Sequence, residues 1–301
     1  MKFRNEAYSE LVSDLINDAF YIESRSKRGT ISTIRQYAEV IVRKILDLSD
    51  EDKVTLGDHR IIKQLKVVSD NNPLLMSSIE NIRLIGNDCT HTQSLLSISD
   101  DDVSKSVDSL FNLYASLFVI YFEKHKFGLN SEIVRAFSIL PPIIRYIALN
   151  ELYKKDKSNI SVIDKLSLVL LKAFDENNAI TWIEERKSEL SKTLPYTLEA
   201  TEGMKKNYGS IVTEQIIDNA PDNMYISCLE RVNDLSPIIQ TNGVLYNNFE
   251  QAKQLYLDKG ILQGEKAEII EFNSVMEFVY LGRNIKENKR LENINSYLVT
   301  K

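Results

Sequence analysis

Glycine and proline are scarce in this chain, and their scarcity constrains its fold more than any other feature. Ten Gly and six Pro make 16 of 301 residues, about 5%, where average usage supplies about 12%. All-β folds need both residues at frequent turns, and a Rossmann fold needs glycines in its phosphate-binding loop. The composition therefore predicts a mainly helical chain, and 43% hydrophobic beside 27% charged residues excludes wholesale disorder.

The formal net charge of −6 argues against a protein that coats nucleic acid through bulk positive charge, although local basic patches stay open. Cys89 and Cys228 are too far apart in the sequence to indicate a disulfide framework or a zinc site. The first residues lack the apolar run of a signal peptide, and no apolar stretch reaches the length of a membrane span. We expect a cytoplasmic protein with no membrane segment, no metal and no cofactor.

Apolar residues recur every three or four positions through the first 125 residues, which is the pattern of amphipathic helices packed in a bundle. Thr30 is predicted as the N-cap of the second helix, and Pro73 is predicted to separate the third helix from the fourth. Five helices are predicted, over about 6–24, 30–48, 57–70, 74–95 and 103–125.

A break at residues 126–130 divides the chain into a helical bundle over 1–128 and a second, mainly helical domain over 129–301. Prolines and glycines interrupt the second half more often, so its element boundaries are less sharply predicted. Short β segments around residues 243–246 or 275–281 stay open as alternatives to helix. The predicted fold class is all-α.

One segment, residues 81–91, collects polar side chains at helical spacing. Arg83, Asn87 and His91 are four positions apart, so on one continuous helix they span about 80° of a single face. Arginine can hold a phosphate through two hydrogen bonds, histidine can move a proton near neutral pH, and asparagine can orient either one. A metal-independent ribonuclease needs these groups. The alternative is structural, with Arg83 and Asn87 bridging helices and His91 bonding a helix end.

Two further features lie beside this segment. Gly86 falls within the predicted fourth helix, where glycine costs about 1 kcal/mol relative to alanine; the close approach of another backbone or of a ligand would account for it. Four basic residues fall at the predicted turn between the first two helices, where they form either a phosphate-binding edge or a solvated loop. These residues are Arg25, Lys27, Arg28 and Arg35.

The pattern Ile82-Arg83-x-x-Gly86-Asn87-x-x-x-His91, between a shorter helix and a long apolar one, resembles the hallmark of a bacterial branch of the HEPN superfamily. The resemblance covers residues 5–126, and residues 31–48 match the helix that precedes the motif helix. It implies a four- to five-helix bundle, a homodimer that brings two motif helices together, and use in phage defence, toxin–antitoxin or RNA-processing systems.

Active HEPN proteins cleave RNA without a metal through an arginine followed, after four to six residues, by a histidine. The resemblance gives His91 the role of general acid–base, Arg83 the role of stabilising the phosphate, and Asn87 the role of orienting His91. In this chain seven residues separate Arg83 from His91, and Gly86 occupies the arginine position of the four-residue spacing.

The sequence is therefore consistent with three functions. The first is a HEPN-like protein that engages RNA or a nucleotide, with endoribonuclease activity as one form, in phage defence or as a toxin. The second is a non-catalytic dimerising module, an accessory subunit of a defence complex, whose C-terminal half binds a protein partner. The third is a sensor of a small nucleotide.

Overall fold

The computed structural model describes residues 2–22, 24–90, 95 and 97–283. The structure is all helical, with 72% helix and no strand among the residues it describes, which confirms the predicted all-α class. Of the two segments where strands were an alternative, residues 275–279 belong to the last helix and residues 243–246 form an irregular loop.

Fifteen α-helices lie within the described residues, with a 3-10 turn before the first and a π-helical turn after it. They are α1 Ser9–Ile16, α2 Lys27–Ile45, α3 His59–Val68, α4 Pro73–Thr90, α5 Asp100–Lys124, α6 Ser131–Phe137, α7 Pro142–Lys155, α8 Ile160–Ala173, α9 Glu176–Glu185, α10 Lys187–Leu190, α11 Leu198–Tyr208, α12 Ser210–Asp218, α13 Met224–Asn242, α14 Phe249–Lys259 and α15 Ala267–Val279.

The described chain divides into two compact units. The first unit takes in the residues up to 148 and those from 246 onwards, and the second takes in residues 149–245. The predicted bundle of residues 1–128 lies inside the first unit, which also includes α6, α14 and α15. The predicted domain of residues 129–301 is shared between the two units.

The start of α2 differs from the prediction. The N-cap is Ser26, whose side chain accepts a hydrogen bond from the backbone N–H of Gly29, and not Thr30. Serine and threonine are both favoured at the N-cap, so residue preference alone does not identify Ser26 rather than Thr30 as the capping residue. As a result, Lys27 and Arg28 lie in the first turn of α2 rather than in a loop.

The core of the first unit is built around α5, which packs against α2, α4 and α15. Ser99 and Asp102 form a capping box at its start. The hydroxyl of Tyr114 on α5 donates to that of Tyr37 on α2 at 2.6 Å inside the core. Farther along α5, buried rings meet those of α6 and α15, and this cluster comprises Phe118, Phe122, Phe137 and Phe272.

Lys44, near the end of α2, is largely buried in the first unit. Its Nζ donates to Asn5 Oδ1 at 3.2 Å and to Ser274 Oγ at 2.8 Å, and it lies over the rings of Phe3 and Phe278. Burial disfavours the ammonium form and lowers the pKa of Lys44 from 10.5 to about 8.

This depressed pKa predicts a specific pH dependence of stability. Between pH 8 and 10.5 the unfolded chain binds more protons at Lys44 than the folded chain, so the free energy of unfolding gains a contribution that rises with pH. At 1.36 kcal/mol per pKa unit, the gain is at most about 3 kcal/mol. Urea unfolding from pH 7.5 to 9.5 should show this rise in the wild type and a flatter profile in Lys44→Met. Equal slopes in the two proteins would refute the assignment.

The second unit has its core between α8, α9 and α13. The ring of Trp182 on α9 lies 5.3 Å from that of Tyr153, and Cys228 of α13 is fully buried. Among the described helices, none combines the length and the hydropathy that crossing a lipid bilayer requires.

Candidate functional site

Gly86 lies where α4 packs against α2, and the side chain of Arg35 fills the room that the glycine leaves. A Cβ placed on Gly86 would lie 2.8 Å from Cδ and 3.2 Å from Cβ of Arg35. The close approach inferred from the sequence is therefore present, and within the described residues it comes from a side chain of α2.

Arg35 also bonds to the motif residues on either side of Gly86. Its Nη1 donates to the side-chain oxygen of Asn87 and, at 3.4 Å, to the backbone carbonyl of Arg83. We refer to Arg35, Arg83, Gly86 and Asn87 as the α2–α4 joint. His91 lies outside the described residues, so its orientation by Asn87 stays a prediction, while the observed partner of Asn87 is Arg35.

Arg83 forms a bidentate ion pair with Glu80, one turn earlier on α4. Nε donates to Glu80 Oε2 at 2.8 Å and Nη2 to Oε1 at 2.6 Å. The side chains are 28% and 50% exposed, and these hydrogen bonds raise the pKa of Arg83 and lower that of Glu80. A phosphate that binds the Nε–Nη2 edge of Arg83 must therefore displace a carboxylate. Sequence reasoning missed Glu80, although its spacing of three residues from Arg83 was a readable signal.

Of the four residues in the predicted basic cluster, Arg25 serves the fold. Its guanidinium pairs with the carboxylate of Asp18 at 3.0 Å and donates to Asp18 O at 2.7 Å and to Thr33 Oγ1 at 2.9 Å. These contacts link the π-helical turn after α1 to the first half of α2.

The other basic residues of the cluster reach α4 and α5. Lys27 pairs with the exposed Asp100 at the start of α5, at 2.9 Å. Arg28 donates to the backbone carbonyl of Asp88, close to the C-terminal end of α4, where the helix dipole favours a cation. The structure thus brings Lys27, Arg28 and Arg35 to the same part of the first unit as Arg83.

Cys89 lies beside Arg28 in the last described turn of α4. Burial raises the pKa of its thiol, and this outweighs the opposing effect of Arg28. A raised pKa reduces the thiolate fraction, so the structure gives no support to a thiol nucleophile here. Within the described part of the chain, no three His, Cys, Asp or Glu residues are grouped so that they could hold a metal ion.

Comparisons of the chain with protein families, with curated proteins and with solved structures give no match. The site is therefore interpreted from its own geometry.

The contact between Gly86 and Arg35 predicts the effect of filling the glycine. Gly86→Ala should lower the free energy of unfolding of the first unit by about 1–3 kcal/mol, because the new methyl group overpacks the joint. In an Arg35→Ala background the contacts with Cγ and Cδ are gone and only the 3.2 Å contact with Cβ is left, so the same change should cost clearly less, or gain up to about 1 kcal/mol of helix propensity. Urea unfolding of the four proteins in this double-mutant cycle measures the coupling. An equal effect of Gly86→Ala in both backgrounds would contradict the contact.

Proposed function

We propose that the chain is a HEPN-like protein that engages RNA or a nucleotide at the surface formed by the α2–α4 joint together with Lys27 and Arg28, which we term the motif surface. The observation that carries the proposal is the gathering of four cationic side chains from two helices in a chain of net charge −6. Arginine side chains can bind a phosphate locally through charge-assisted hydrogen bonds, even in a chain of net negative charge.

The ion pairs at this surface favour exchange with a ligand. Lys27 is paired with Asp100, which is 93% exposed, and Arg83 with the half-exposed Glu80. Exposed ion pairs contribute only about 0–1 kcal/mol, whereas arginine can bind a phosphate through two charge-assisted hydrogen bonds. A phosphate can therefore take the place of either carboxylate at small cost.

Endoribonuclease activity is the catalytic form of this proposal. His91 would act as general acid–base, Arg83 would stabilise the charge on the phosphate, and Asn87 would orient His91. Incubation with total RNA in EDTA tests it: the wild type should degrade RNA and His91→Ala should not. Equal RNA decay with both proteins would remove the catalytic roles and leave RNA binding as the function.

A non-catalytic interaction module is the second candidate, and a specific observation favours it. Glu80 holds Arg83 and Arg35 holds Asn87, so two of the three motif side chains already serve contacts within the chain. In this form residues 1–126 dimerise and residues 130–301 bind a protein partner in a defence complex. Affinity purification at low salt separates the candidates. Retained RNA favours the first, whereas one stoichiometric protein without RNA favours the second.

A further inference from the structure

The cations of the motif surface differ in how far their charge is already neutralised. Lys27 forms an ion pair with Asp100, and Glu80 holds the Nε–Nη2 edge of Arg83. A phosphate at the other edge of Arg83 would still lie close to the carboxylate of Glu80, and like charges repel. Lys27 and Arg83 must therefore release a carboxylate, or act beside one, when they bind a phosphate.

Arg35 has no carboxylate within ion-pair distance among the described residues. Its Nη1 donates to two uncharged acceptors, the side-chain oxygen of Asn87 and the backbone carbonyl of Arg83. Its Nε and Nη2 form no hydrogen bond with the described residues and are not closed off from solvent by them. Glu39, one turn later on α2, attracts Arg35 without forming an ion pair, and burial raises the pKa of Glu39. Arg35 thus keeps its charge and one two-donor edge for a ligand.

The α2–α4 joint also holds the side chain of Arg35 in place. Cδ of Arg35 lies 2.8 Å from the position that a Cβ on Gly86 would take, so a larger residue at position 86 would push the arginine aside. The hydrogen bonds of Nη1 orient the guanidinium plane. A flexible cation loses conformational entropy when it binds a ligand, whereas a cation that is already ordered loses less. Gly86 therefore allows a preorganised arginine to lie against α4.

We propose that Arg35 is the primary phosphate ligand of the motif surface. Its Nε and Nη2 donate to two oxygens of one phosphate group of a single-stranded RNA, while Asn87 and the backbone of Arg83 hold Nη1. Lys27 and Arg83 add to binding as their carboxylates are displaced. The inference rests on the proposed function and deepens it, because it assigns the first phosphate contact to α2. Asn87 is then a positioning residue for Arg35.

Fluorescence anisotropy with the full chain and a labelled single-stranded RNA tests this assignment through two lysine variants. Arg35→Lys keeps the charge but loses the planar fork that serves Asn87 and the phosphate together. It should weaken RNA binding by about tenfold, and the salt dependence of the affinity should stay the same because no charge is lost. Arg83→Lys should weaken binding by at most about threefold, because Glu80 already holds this side chain.

Asn87→Asp is a second test, and it leaves Arg35 in the protein. The carboxylate at position 87 should pair with Arg35, so the first unit should resist urea as well as the wild type or better. RNA binding should nevertheless fall by about tenfold or more, because the charge of Arg35 is neutralised. Asn81→Asp, an exposed site on α4, adds the same charge elsewhere on the helix and should weaken binding by no more than about twofold.

Two results would overturn the assignment and leave RNA binding intact. One is a folded Arg35→Lys protein that binds RNA as tightly as the wild type. The other is an Asn87→Asp protein that binds as tightly as Asn81→Asp, and this comparison decides alone if circular dichroism shows that Arg35→Lys has lost helix. A wild type that binds no RNA at low salt would remove the proposed function and the assignment together, so the two failures are distinguishable.

Discussion

Replacing Glu250 by alanine is expected to lower the free energy of unfolding of the first unit by about 3–5 kcal/mol, because the charge of Arg283 would stay buried without its carboxylate. The two side chains are 3% and 1% exposed, and Arg283 Nη1 lies 3.5 Å from Glu250 Oε1. The hydroxyl of Tyr21 donates to the same carboxylate, and the guanidinium lies 4.4 Å from the centre of the Phe249 ring. The pair joins α14 and the segment after α15 to the start of the chain.

Urea unfolding measures this loss, with two companion variants. Glu250→Gln keeps an acceptor for Tyr21 and should fall between the wild type and Glu250→Ala. Asp258→Ala removes an exposed carboxylate from the same helix and should change stability by no more than about 0.5 kcal/mol. A Glu250→Ala protein as stable as Asp258→Ala would show that the buried pair does not hold the first unit together.

Phe118→Ala is the second change with a large expected effect, a loss of about 3–5 kcal/mol. Phe118 is fully buried on α5, with its ring 5.4 Å from that of Phe137 on α6 and 6.4 Å from that of Phe272 on α15. Truncation leaves a cavity where the predicted bundle meets these two helices.

The matched control is Leu129→Ala, which removes an apolar side chain that is mostly exposed and should cost little. Chemical unfolding followed by circular dichroism compares the two variants. If Phe118→Ala cost no more than Leu129→Ala, the first unit would not need α6 and α15, and residues 1–128 would be a self-sufficient bundle.

The helical class and the early helices could be predicted from the sequence because their signals are local. The shortage of glycine and proline and the apolar spacing through residues 8–20 depend only on neighbouring positions. The extent of the first unit has no such signal: Phe118 and Phe272 are about 150 positions apart, and nothing near either residue indicates the other. The same holds for Glu250, which reads as an ordinary helix-start acid until the fold buries it against Arg283.

The candidate site, like the fold, could be predicted from the sequence only where its signals are local. Gly86 stood out as a glycine inside a helix, and the structure supplies a reason for it. That reason, Arg35, lies 51 positions earlier on another helix, so the sequence could indicate that something approaches but not what. Glu80 was readable from its spacing to Arg83, whereas the contact between Arg28 and Asp88 depends on how α2 and α4 pack.

Fluorescence anisotropy with a labelled single-stranded RNA, titrated at several salt concentrations, tests the motif surface most directly. Three variants are compared with the wild type. Glu80→Gln removes the carboxylate that competes for Arg83, Arg83→Gln removes the cation, and Asp47→Asn removes one charge at the far end of α2. Asparagine at position 47 keeps the acceptor for the Phe3 N–H and tolerates the positive φ of that residue.

If the motif surface engages RNA, Glu80→Gln should bind RNA about two- to fivefold more tightly. This is the gain in affinity expected when RNA no longer has to break one exposed ion pair. Arg83→Gln should bind more weakly, with a slope of log affinity against log salt reduced by about 0.7, and Asp47→Asn should match the wild type. No binding at low salt, or Glu80→Gln and Arg83→Gln titrations that coincide with that of Asp47→Asn, would contradict the motif surface as the RNA-binding site.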